Sequence, residues 1–148
     1  MVIRFYMGRP LEIRARSAES EKITINLGHV DLGQIDLMVQ DGFYANRADF
    51  IRTAIRNQID RHSDFIRKTV ERKALDLGLR HYGRTDLEAI RRRGETIQIN
   101  VLGLASIAFD VPVELALATI SSVTVLGALQ ATPEMKAALA DRINAAGA

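Results

Sequence analysis

The segment Lys22-Ile23-Thr24-Ile25-Asn26-Leu27 alternates strictly, with Ile23, Ile25 and Leu27 on one face and Lys22, Thr24 and Asn26 on the other. A period of two with β-branched side chains predicts a half-buried strand, ended by Gly28 and His29. No second strand follows nearby, because the pattern turns helical. Asp31 is placed as a cap, and Leu32, Ile35, Met38 and Val39 recur at helical spacing. A helix is therefore predicted over roughly 32–41, with Gly42 just beyond its end. After the connector Phe43-Tyr44-Ala45, Asn46 caps a second helix and Asp49 suits the dipole of its first turn. Phe50, Ile51, Ala54, Ile55, Ile59, His62, Ile66 and Val70 keep one face to about residue 73, while Arg47, Arg52, Arg56, Arg61 and Arg67 lie largely off that stripe. A lone strand leaves its N–H and C=O groups unpaired. A segment of about 50 residues also buries too little surface to stand alone. The cheapest remedy is a two-fold mate whose identical strand pairs antiparallel with this one, so a homodimer is expected.

Within LMVQDGFYANRADFIRTAIRNQI, the residues Gly42, Tyr44, Asn46-Arg47, Asp49 and Ile51-Arg52 come in a fixed order behind the strand EKITINL. Over about residues 21–60 the chain resembles the ribbon-helix-helix family of DNA-binding proteins, in its Arc/MetJ/CopG-like branch. The resemblance implies an intertwined dimer whose two-stranded ribbon enters the major groove of double-stranded DNA. The side chains it would turn to base edges are Lys22, Thr24 and Asn26. Their chemistry suits base readout, with lysine for guanine O6/N7, asparagine for adenine N7/N6, and threonine for a hydroxyl or methyl contact. It also implies that the start of the second helix, at Asn46 and Arg47, holds the DNA backbone, since free N–H groups at a helix N-terminus bind anions. Asn46 as a cap is compatible with that role. Ile23, Ile25, Ile35, Val39, Ile51 and Ile55 are the expected shared core.

Outside that stretch the chain divides into an arm, a linker and a module. Residues 1–20, with Arg4, Arg9, Arg14 and Arg16, form a basic arm before the 21–73 domain. Residues 74–94 read as a linker with a short helix, in which Thr85 and Glu88 suggest a capping box. Arg91, Arg92 and Arg93 either touch DNA or favour that helix's C-terminal end. In residues 95–148, Ile97, Ile99 and Val101 alternate with Gln98 and Asn100, and Val-Leu-Gly occurs at 101–103 and again at 125–127. A Pro-containing helix start follows each, at Pro112 and Pro133; Thr132 caps the second, which is predicted to run to about Asn144. This is a small α/β module expected to pack on its own copy or on a protein partner. The fold class expected is thus α+β, a β-α-α domain followed by that module.

Composition narrows the function. The 148 residues carry a net charge of +2, but 18 Lys/Arg against 13 Asp/Glu fall in residues 1–93 and 2 against 5 in residues 94–148. A basic front fits a polyanion. There is no cysteine, which excludes disulfides and thiolate sites and fits a cytoplasmic protein. His29, His62 and His81 lack metal-site spacing. No phosphate loop or catalytic constellation is readable, and no apolar run reaches a membrane span. Neither an enzyme nor a cofactor is expected. The leading expectation is a sequence-specific transcriptional regulator, a repressor among its forms. The alternatives are the antitoxin of a toxin–antitoxin pair and a DNA-segregation or filament-forming protein.

Overall fold

The computed structural model describes residues 20–144. The chain divides into two compact units, Met1–Ser63 and Asp64–Ala148. The arm expected over residues 1–20 lies almost wholly outside the described residues.

In the first unit, residues 20–28 form no helix or strand. The strand expected over Lys22–Leu27 is thus not formed within the single chain, and Ile23 and Ile25 are 80% and 58% exposed. Helix α1 spans His29–Gln40, and helix α2 spans Arg47–Arg61. The cap of α1 is Gly28, not Asp31, which instead lies in the first turn, where its charge favours the helix dipole. At the other end Gly42 takes φ +83°. Its N–H donates to Val39 O, and that of Phe43 donates to Met38 O, at 3.1 and 3.0 Å. This closes the helix through the left-handed residue that glycine adopts without penalty. The second helix does not run unbroken to residue 73. His62 leaves helical geometry (φ −101°, ψ 13°), and its N–H donates to Ile59 O. A new helix, α3, starts at Ser63, the last residue of the first unit, and runs with Asp64 in its first turn to Lys73 in the second. Serine and aspartate favour helix starts over helix interiors. His62, expected on a packed stripe, is exposed, with its Nε2 3.4 Å from Gln58 Nε2.

The second unit is a four-stranded parallel sheet in the order β1-β2-β3-β4, made of Asp76–Tyr82, Ile97–Ile107, Ile120–Gln130 and Ile143–Asn144. Helices α4 (Arg84–Arg92), α5 (Val113–Thr119) and α6 (Pro133–Ala138) are the crossovers. Sequential parallel order with right-handed connections places every crossover on one face. Consistent with this, α4 touches α5 and α5 touches α6. The core lies beneath them: Leu87, Ile99, Val101, Ile120, Val123 and Leu139 are fully buried. Thr119 is buried as well, and its hydroxyl donates to Leu115 O at 2.7 Å.

Three expectations change in this half. Residues 74–94 are no linker but the first βα unit, with β1 paired in register to β2. The cap of α4 is Gly83, whose N–H donates to the Asp86 carboxylate at 2.9 Å, while Glu88 pairs with Arg84. The last helix does start with Pro133 behind Thr132, whose hydroxyl accepts from Met135 N–H. It stops at Ala138, and the chain turns so that the Arg142 guanidinium donates to Leu117 O and Ile120 O, both at 2.6 Å.

Gly78, Gly103 and Gly127 lie in one row across three strands. All have φ between +120° and +141°, and a Cβ on Gly103 would strike the Gly78 carbonyl oxygen. Only glycine fits where strained backbone and close interstrand approach coincide. Gly103→Ala is expected to destabilise the chain by about 1–3 kcal/mol, read by chemical denaturation followed by circular dichroism. An unchanged midpoint would mean that the row is not strained.

Candidate nucleic-acid interface

The side chains expected to read bases, Lys22, Thr24 and Asn26, are all exposed. The alternate residues face another environment. Ile25 and Leu27 help line an apolar groove of about 350 Å³, together with Ile35, Met38, Ile51 and Ile55. Of the six residues expected as shared core, only Ile35 is buried, at 5% exposure; Ile55 remains 53% exposed. Helix α2 buries no residue at all. Two of the three apolar side chains of residues 22–27 thus reach the groove, while Ile23 does not line it and stands 80% exposed.

The start of α2 is built tightly. Asn46 Oδ1 accepts from Asp49 N–H at 2.8 Å, and the Asp49 carboxylate accepts from Ala45 N–H at 2.9 Å. Tyr44 meets Phe50 edge-to-face with centroids 5.1 Å apart. These contacts settle the third N–H of the turn, while those of Arg47 and Ala48 have no acceptor within an α-helix.

Arg47 is already engaged. Its Nε and one terminal nitrogen both donate to the Asp36 carboxylate at 2.7 Å, joining α1 to the start of α2. The guanidinium holds Asp36 below the usual carboxylate range, first by hydrogen bonding, with its charge adding to the effect; Arg47 is raised for the same reasons. A lowered carboxylate stabilises the fold above its unfolded-state pKa, and that contribution is lost as pH falls through the lowered value. Two of the five guanidinium N–H donors are used, and three remain. Spacing alone does not reveal this pair, since residues 36 and 47 sit on different helices.

Arg91 and Arg92 close the last turn of α4, where positive charge suits the dipole, and Arg93 pairs with Glu95 at 3.2 Å. A cleft of about 580 Å³ beside them mixes Arg84, Arg91 and Arg92 with Glu88 and Glu114. Its charges largely cancel. Among the described residues no three His, Asp or Glu side chains cluster to hold a metal, and no helix is long and apolar enough to cross a membrane.

The ribbon-helix-helix transcriptional regulator family matches residues 18–136, which takes in the described part of the first unit and most of the parallel sheet. A curated protein, transcriptional regulator CdrS of Halobacterium salinarum, is 34% identical over 44 residues, covering 80% of that protein and 30% of this chain. Most of this chain has no counterpart there. No solved structure matches. The family is one of transcriptional regulators and not of enzymes, and the match spans most of the sequence: the chain belongs to the ribbon-helix-helix transcriptional regulator family.

Proposed function

We propose that the chain is a homodimeric, sequence-specific DNA-binding regulator. Two copies pair their 22–27 segments antiparallel into a ribbon that enters the major groove. Lys22, Thr24 and Asn26 turn to the base edges. Ile23, Ile25 and Leu27 turn inward and, with Ile51 and Ile55 of both copies, close the apolar groove. The observation that carries this reading is the unpaired, exposed segment beside that groove. The apolar side needs a cover of its own shape, and the backbone needs a strand to pair with.

The start of α2 takes the phosphates. Its free N–H groups and dipole attract an anion, and Asn46 shapes the turn. The guanidinium of Arg47 stays bound to Asp36 and offers its remaining donors to the DNA backbone.

Gel-shift titrations on genomic fragments selected for binding, run at several salt concentrations, separate the two roles. Asn26→Ala is expected to cost about 1–3 kcal/mol on the selected sequence and to relax preference at one base position. Equal loss on all sequences would remove Asn26 from readout. Arg47→Ala is expected to weaken every sequence alike and to lower the salt slope by about 1. If the slope does not change, the Arg47 guanidinium does not hold phosphate.

A further inference from the structure

We propose that Asp36 is a positioning residue that sets DNA specificity: its carboxylate orients the Arg47 guanidinium for a phosphate held in one register and weakens the pull of that arginine on any other. The step rests on the reading of Arg47 as a backbone contact. The pair stands apart from its peers. Among the described residues, Arg67–Asp64, Arg80–Asp76, Arg84–Glu88 and Arg93–Glu95 join residues two to four apart in the chain. Exposed pairs at such spacing form readily and contribute little. Arg47 and Asp36 are eleven residues apart, on different helices, and two hydrogen bonds of 2.7 Å hold them. Because Nε and a terminal nitrogen share one edge of the planar guanidinium, this fork fixes its plane as well as its place. Arg47 is the first residue of α2. Its side chain therefore leaves the backbone in the turn whose first N–H groups lack a helical acceptor.

The carboxylate has two opposite effects on a nearby phosphate. As a charge it repels any DNA, whatever the sequence, and offsets what Arg47 adds through counterion release. As a clamp it removes the cost of ordering a long, flexible side chain. The first effect acts on every duplex. The second counts only where base contacts hold the DNA backbone in one place, because a fixed donor gains nothing from a phosphate outside its reach. A residue that weakens binding everywhere and restores it at fitting sites raises the ratio between the two. Loss of the carboxylate should then shift affinity in opposite directions on fitting and unfitting DNA. A bare charge, or a support of the fold, would shift both in the same direction.

In the full-length chain, Asp36→Asn keeps the size of the side chain and removes its charge. The pair is more than half exposed, so the variant is expected to fold. Gel-shift titrations compare a genomic fragment selected for binding with a random-sequence duplex of equal length. Asp36→Asn is expected to bind the random duplex about two- to fivefold more tightly and the selected fragment at least about threefold more weakly. In an Arg47→Ala chain the same substitution is expected to tighten both alike, because the clamp then has nothing to hold. Tightening of both DNAs alike in the chain that keeps Arg47, or no change in either, overturns the proposal and leaves Arg47 an anchor. Equal weakening of the selected fragment with and without Arg47 also overturns it, by making Asp36 a support of the fold. Arg47→Ala without effect on either DNA removes the anchor itself, and this inference with it.

Discussion

Unpaired backbone at residues 22–27 governs how the first unit can exist at all. Each peptide there brings an N–H and a C=O that water satisfies in the free chain, while Ile23 and Ile25 stand largely exposed. Burying one such side chain is worth about 1.5–3 kcal/mol. The unit offers few places to do so, because Ile35 is the buried hydrophobic among its described residues. Two helices meeting at one corner cannot enclose the stripe that Ile51, Ile55 and Ile59 carry along α2. A strand contributed by a second chain would satisfy both demands together, through hydrogen bonds along its edge and apolar cover on one side. The polar side chains would then be left outward as a consequence of the same alternation.

The second unit solves the problem within one chain, at least on one face. Its strands are buried by their own crossovers, and the backbone is paired strand to strand in parallel register. The glycine row belongs to that solution. Where a neighbouring carbonyl approaches the position a Cβ would occupy, any side chain would push strands apart that the leucines and valines on either side draw together. Its cost is the entropy that glycine loses on folding.

The first unit was largely legible because its signals are local. Gly42 and Asn46 marked the end of one helix and the start of the next, whereas the strand that alternation predicts at 22–27 is not formed in the single chain. What could not be read locally was the break at His62, where a stripe continued across a turn that Ser63 and Asp64 favour. In the second unit, two Val-Leu-Gly copies were visible, and the third was not. Its strand reads Asp76-Leu77-Gly78-Leu79-Arg80-His81-Tyr82, with no β-branched residue and with charge inside it. Only pairing with β2 makes it a strand, through tertiary context that overrides propensity. The end of the last helix was missed for a related reason: Arg142 reaches carbonyls more than twenty residues away. Among the candidate site residues, the polarity of Lys22, Thr24 and Asn26 and the cap at Asn46 followed from sequence. The tie between Arg47 and Asp36 did not.

That tie bears on how a reader and an anchor would act together. A ribbon can select bases only if the groups that grip the backbone hold it in one register. Here the corner between α1 and α2 is fixed by several small devices: the left-handed Gly42, the Tyr44–Phe50 contact, the Asn46–Asp49 cap and the bidentate Arg47–Asp36 pair. Both members of that pair are more than half exposed, so its weight lies in geometry more than in stability. A guanidinium clamped on one edge has lost most of its freedom before any phosphate arrives. The ordering cost of a further contact is correspondingly smaller. If Arg47 does hold phosphate, the carboxylate would also limit how strongly that arginine attracts a polyanion at random, which would favour sites where base contacts fit as well.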